Sequence, residues 1–172
     1  MQLRFEALDS DLVARLRAGG PDAHGRPAER VVSDGAGNPC RHCLDYVPEG
    51  AGMLILAHRP FAEMQPYAET GPIFLCADTC TRHGGVDVPP ILGRSPDYLL
   101  KGYSAAERII YGTGRIVPRE GVATYAASLL ADPAVAFVDL RSARNNCFQL
   151  RIRRARPAAF DISQGNGDRA EP

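Results

Sequence analysis

The chain has no excess of either charge, no long apolar run and no glycine-rich nucleotide loop, and each absence removes a class of function. Its 20 Lys and Arg residues are matched by 20 Asp and Glu residues. Bulk electrostatic capture of nucleic acid or of an anionic membrane needs a positive excess, so neither is expected as a partner, and no other partner is legible. The longest clean apolar stretch, "MLILA" at residues 53–57, falls far short of the roughly 18 residues that a bilayer crossing needs. The first 20 residues carry charges at Arg4, Glu6, Asp9, Asp11, Arg15 and Arg17, which leaves no apolar core for a signal peptide. A cytoplasmic location is therefore expected. No Gly-x-Gly-x-x-Gly fingerprint follows a strand and no Walker loop occurs, so dinucleotide and classical nucleotide folds are unsupported.

What remains is an ordinary globular composition, 45% hydrophobic and 23% charged, in a chain of 172 residues that can bury a core without disulfide staples. A single domain over residues 1–160 is expected, with residues 161–172, "DISQGNGDRAEP", as a polar and disordered tail. "QLRFEAL" reads as a short strand. "SDLVARLRA" reads as a short helix ended by Gly19 and Gly20. Residues 21–39 are rich in glycine and proline and are read as loop, with "ERVVSD" as a short strand inside it. "GMLILAH" and "GPIFLCA" have the compact apolar pattern of buried strands that neighbour each other in a sheet. "YLLKGYSAAERIIYGTGRIV" suggests a hairpin with its loop at residues 104–107. In "EGVATYAASLLAD", Val122, Tyr125, Ala126 and Leu129 fall at helical spacing, and Asp132-Pro133 ends the helix. "AVAFVDLR" and "NNCFQLRIRR" are strands joined at Asn145-Asn146, since asparagine tolerates left-handed backbone angles. The sum is an α+β domain: a mainly antiparallel sheet of five to seven strands with about two helices packed on it.

The five cysteines carry most of the chemistry. In a reducing compartment an odd number of thiols is better read as free, metal-bound or reactive than as a disulfide framework. Cys40-x-x-Cys43 and Cys76-x-x-x-Cys80 form two short-spaced pairs, the usual way of supplying zinc with four soft ligands, because each pair grips the ion from one turn of backbone. Neither pair has the glycine that commonly follows a zinc knuckle, and Cys76 lies inside an expected strand, which leaves His83 and Cys147 as substitute ligands. The bland alternative is that these are buried or free thiols, since unpaired cysteine behaves as a small hydrophobe. A thioredoxin-like couple needs its pair at a helix N-terminus, and "LDYVPEG" with Pro48 leaves no room for one.

Cys147 opens a stretch in which Cys147, Gln149, Arg151 and Arg153 alternate with apolar residues, placing it on an arginine-bearing face where a thiolate is favoured. No base is identifiable, so a solvated face is the plainer reading. The six arginines of "RSARNNCFQLRIRRAR" suit either forked contacts to an anion or an edge strand guarded against aggregation. "PYAETGPIF" places Tyr67, Glu69 and Thr70 before a Gly-Pro turn, where they face a pocket or simply make the turn. His58 reads as a strand-end residue and His24 as part of a disordered-looking loop.

Taken in order, "PCRHCLDYVPEG", "MLILAHRPF", "QPYAETGPIFLCADTC", "YGTGRIV" and "RSARNNCFQLRI" resemble a bacterial family of short proteins known only as domain of unknown function number twelve hundred and three. The resemblance spans about residues 37–154. It implies that Cys40 with Arg41, Pro66 with Tyr67, Ile73 with Phe74 and the Cys147 region are widely shared, while Cys43, Cys76 and Cys80 belong to one branch. It implies no activity. Two readings stand. In the first, a binding or structural protein holds zinc with Cys40, Cys43, Cys76 and Cys80. In the second, a thiol-dependent enzyme uses Cys40 or Cys147 as nucleophile, with Arg41, Tyr67 and Arg144 binding an anionic small molecule. The zinc reading is preferred.

Overall fold

Burial of apolar faces accounts for most of the elements. In the computed structural model, which describes residues 1–155, the order is β1 (Leu3–Glu6), α1 (Ser10–Arg17), β2 (Glu29–Val32), β3 (Gly52–His58), β4 (Gly71–Cys76), β5 (Asp97–Tyr103), β6 (Arg115–Pro118), α2 (Val122–Leu130), β7 (Phe137–Ser142) and β8 (Phe148–Arg154). The Asp9 carboxylate starts α1 by accepting the backbone N–H groups of Asp11 and Leu12 at 3.0 and 3.2 Å. Gly19, at φ +88°, takes the left-handed position beyond its end. In α2 the buried residues Val122, Ala126 and Leu130 recur every four positions, with Tyr125 and Leu129 packing beside them. No helix among the described residues is long and apolar enough to cross a membrane.

The α+β class and the antiparallel pairing follow the sequence reading, but the eight strands divide between two sheets. One has five strands in the order β1-β8-β7-β5-β6, and the other three in the order β2-β3-β4. The larger sheet and α2 enclose a core that includes Leu100, Leu140, Leu150 and Ile152. The smaller sheet, with α1 and the Cys40 loop, encloses Val13, Leu16, Leu54, Ile73 and Leu75. The Leu8 N–H donates to Arg41 O at 2.8 Å, and Arg41 Nε donates to Phe148 O at 2.8 Å, so residue 41 ties the loop to both β8 and the chain ahead of α1.

One expectation is refined and another corrected. The hairpin turns at residues 104–107, where the Glu107 N–H donates to Ser104 O at 3.0 Å and the Ser104 N–H to Arg108 O at 2.9 Å, and Tyr103 and Ile109 form a bridge just beyond the turn. Regular pairing is then interrupted, and β6 begins only at Arg115. The reason is Thr113, whose Oγ1 accepts the Gly102 N–H at 2.9 Å and occupies the space a side chain at Gly102 would need, its atoms lying 3.1–3.2 Å from a Cβ built there. The arginine-rich β8 is not an edge strand. It lies between β1 and β7, in register Phe5↔Ile152 and Leu140↔Leu150. Its arginines find partners instead of solvent: Arg151 pairs with Asp139, Arg153 with Glu6, and Arg154 donates to Leu130 O. Asn146 does turn the chain into β8, at φ +56°. The expected polar tail lies outside the described residues.

Candidate metal centre

The first cysteine pair sits on a tight turn closed on itself. Pro39 and Tyr46 form an antiparallel bridge, the Cys40 N–H donates to Asp45 O at 2.8 Å, and the Val47 N–H donates to Asn38 O at 2.8 Å. No helix follows, which removes the geometry a thioredoxin-like couple needs. After Cys43 the backbone enters the left-handed region at Leu44, φ +53°, where the Leu44 N–H donates to Cys40 O at 3.0 Å. Glycine is the residue that adopts this conformation freely, and a side chain there costs about 1–2 kcal/mol. Leu44 offsets that cost by burial: its side chain is wholly enclosed beside Ile91 and Leu92, worth about 1.5–3 kcal/mol. The glycine missing from the sequence is thus replaced in conformation by a buried leucine.

The second pair straddles the end of β4. Cys76 is its last residue, and Cys80 lies beyond the following bend. Cys40 pairs with Phe74 in a parallel bridge, and the Arg41 N–H donates to Phe74 O at 3.1 Å, so the first turn lies alongside β4. The Cys76 N–H donates to Cys40 Sγ at 3.3 Å. All four sulfurs lie within 4.8 Å of one another. A tetrahedron with Zn–S bonds of about 2.3 Å has S–S edges of about 3.8 Å, so the donor set fits a tetrahedral soft cation after a small contraction. Cys40 is fully buried, Cys43, Cys76 and Cys80 are half-buried, and apolar residues such as Val47, Met53 and Leu75 surround them.

Two further side chains reach the cluster from positions that sequence reasoning missed. Arg17, in the last turn of α1, donates from Nη2 to Cys80 Sγ at 3.1 Å and from Nε to Cys76 O at 3.0 Å. His42, the residue inside the first pair, places Nδ1 3.1 Å from Cys80 Sγ and Nε2 3.0 Å from Ser10 Oγ. Burial, then Arg17, hold the imidazole below its usual pKa and hence neutral at pH 7. With Cys80 as a thiolate, the tautomer that satisfies both contacts carries its proton on Nδ1, donating to sulfur, and accepts the Ser10 hydroxyl at Nε2. Hydrogen bonds from Cys43 and Cys76 hold the Cys40 thiol well below its usual pKa. The same bonds, with burial, push Cys43 up to about 12 and Cys76 upward as well. A soft dication would displace the thiol protons.

A family profile described as "Protein of unknown function (DUF1203)" matches residues 37–154, more than half of the chain. The chain belongs to this family. No curated protein and no solved structure matches it. The DUF1203 span starts at the cysteine turn and ends with β8, so it contains all four clustered cysteines but neither α1 nor Arg17.

Within that span the other site residues fall in different places. His83 turns away from the sulfurs and places Nε2 3.0 Å from Asp87 O. Cys147 lies outside the cluster, immediately before β8, with its Sγ 3.6 Å from Asn145 O. The face it opens is covered rather than solvated, because Gln149 is buried and Arg151 donates to Pro60 O at 2.7 Å. Arg41, Arg144 and Cys147 line one cleft of about 400 Å³. Tyr67 is not part of it: its hydroxyl is 3.3 Å from that of Tyr111, and Arg108 lies over its ring at 5.2 Å. Glu69 forms an ion pair with Arg141 at 2.5 Å that is not aligned as a hydrogen bond, and a second with Lys101 at 3.3 Å. His58 ends β3 and packs 5.7 Å from the Phe148 ring. Burial, Arg41 and Arg151 lower its pKa to about 4.

Proposed function

We propose that this DUF1203 protein is a small binding or structural protein in which Cys40, Cys43, Cys76 and Cys80 hold one zinc ion. The ion would pin the loop after β2 to the end of β4. The observation that carries this reading is the closed donor set: four sulfurs within 4.8 Å of one another, with Arg17 and His42 directed at Cys80. Four thiolates around a dication leave two negative charges, which a guanidinium and N–H donors offset. A four-sulfur site also leaves no open position for water or substrate, as suits a structural ion. Because such a site hardly exists in the unfolded chain, its binding energy would be folding energy.

The thiol-enzyme alternative has less support at Cys40, whose sulfur is enclosed among the other three. Elemental analysis of tag-free protein purified without added metal tests the proposal, paired with thiol titration in native and denatured states. About one zinc per chain is expected, with four thiols protected until a chelator is added, and a Cys43→Ser variant should lose the metal while Cys147→Ser retains it. Iron in place of zinc would replace the metal and keep the site. No metal, with all five thiols reacting freely, would overturn the reading.

A further inference from the structure

Among the described residues, Arg41 is a buried cation without a carboxylate partner. Only 2% of the residue is exposed, and its donors go to backbone carbonyls, Nε to Phe148 O at 2.8 Å and Nη1 to Pro39 O. No acidic side chain among the described residues forms an ion pair with it. A buried guanidinium is ordinarily paired, because removing its charge from water is costly. A guanidinium stays protonated at neutral pH, so the charge persists.

The cleft that Arg41 lines extends this imbalance. Arg94 and Arg144 line it too, and none of its lining residues is acidic. Arg94 lies 4.4 Å over the Tyr46 ring and donates to Gly35 O at 2.7 Å, which holds the guanidinium at the rim without neutralising it. Arg144 pairs with Asp97 at 2.8 Å, leaving three guanidinium groups against one neighbouring carboxylate. Gln149 and Ser95 add neutral polar groups, and Tyr46 and Phe74 add aromatic walls. Its volume of about 400 Å³ lies in the range of small-molecule sites.

We propose that this cleft is a binding site for a small molecule bearing an oxyanion, a phosphate or a carboxylate, with Arg41 at its floor and Arg94 and Arg144 at its rim. The guanidinium fork matches either group bidentately. The cysteine cluster makes its own contacts with Arg17 and His42, so this proposal stands apart from the metal. Cys147 lines the cleft, but among the described residues its Sγ makes one hydrogen-bond contact, to Asn145 O at 3.6 Å, and none to an imidazole or carboxylate. The site is therefore one of binding.

Cys147 supplies a probe inside the cleft. The test compares its alkylation by iodoacetate, an anion, with that by iodoacetamide, its neutral counterpart, read by peptide mass spectrometry on the full chain as purified. The iodoacetate-to-iodoacetamide rate ratio is expected to exceed that of glutathione by about tenfold, because a positive cleft concentrates anions. Inorganic phosphate or acetate should slow both reagents in a saturable way. Slowing by phosphate alone assigns a phosphoryl group, and slowing by acetate alone assigns a carboxylate. Arg144→Gln and Arg94→Gln, at the rim, should lower the ratio toward that of glutathione and weaken protection, and they decide the matter if Arg41→Gln fails to fold. A ratio no higher than that of glutathione, or no protection by either anion, would overturn the proposal.

Discussion

Arg17 Nη2 and Cys80 Sγ lie 3.1 Å apart, joining the last turn of α1 to a sulfur 63 residues away. The guanidinium is bivalent there, since its Nε also donates to Cys76 O at 3.0 Å. It therefore fixes both members of the second pair. Arg17→Ala is expected to weaken metal affinity by about 10–100-fold, the usual effect of removing a group that orients ligands. Competition against a chromogenic chelator reads this directly. Arg15→Ala, an exposed change on the same turn, should leave affinity unaltered.

Leu44 reverses the usual order of two substitutions. Leu44→Ala removes a fully buried side chain, at about 2–5 kcal/mol, and retains the left-handed strain at φ +53°. Leu44→Gly loses the same side chain but relieves that strain, recovering about 1 kcal/mol. The glycine variant is expected to be the more stable of the two in urea unfolding of the metal-loaded protein. The opposite order would show that the turn does not hold residue 44 left-handed in solution.

His58 makes stability depend on pH. Its pKa is depressed to about 4 from an ordinary value of 6.5, chiefly by burial and then by Arg41 and Arg151. Below about pH 6.5 the unfolded chain takes up a proton there that the folded chain refuses. This contribution is fully present above that pH and is lost progressively as pH falls toward 4, by an amount on the order of 3 kcal/mol. Denaturant midpoints at pH 7.5 and 5 measure it. His58→Gln should lose less stability than the wild type over that interval, whatever the metal does in both.

Asp139 and Arg151 face each other across β7 and β8, with Nε–Oδ1 at 2.7 Å and Nη2–Oδ2 at 3.1 Å. Asp139 is fully buried, and the Arg151 guanidinium lies 3.5 Å over the Phe137 ring. Asp139→Asn would leave Arg151 with only the more distant Glu107, 3.9 Å away, as an acidic partner among the described residues, and is expected to cost up to about 3–5 kcal/mol. Replacing both, with Asp139→Leu and Arg151→Met, should recover much of that loss. Denaturant unfolding of the wild type, Asp139→Leu, Arg151→Met and the double variant gives the coupling. Equal losses in the single and double variants would contradict it.

Local signals were legible in the sequence because they depend on neighbours a few residues apart. The compact apolar runs "GMLILAH" and "GPIFLCA" marked β3 and β4 as adjacent strands, and they pair antiparallel from Met53↔Cys76 to His58↔Gly71. The spacing in "VATYAASLL" marked α2, and the asparagine pair marked the turn into β8. Spacing also selected the four cysteines, because a pair separated by two or three residues can grip one ion.

Partners distant along the chain were decided only by the fold. Whether β8 lies at an edge depends on β1 crossing 147 residues to pair Glu6 with Arg153, a contact with no local signature. The same holds for Arg17 at Cys80, for Tyr67 lying apart from Arg41 and Arg144, and for a Leu44 that takes a glycine's conformation because packing holds it. The amino-acid pattern determined which segments could bury a face and which residues could bind a soft cation. Sheet closure decided which faces and which cations meet, since such contacts form only once the entropy of closing long loops has been overcome by burial elsewhere.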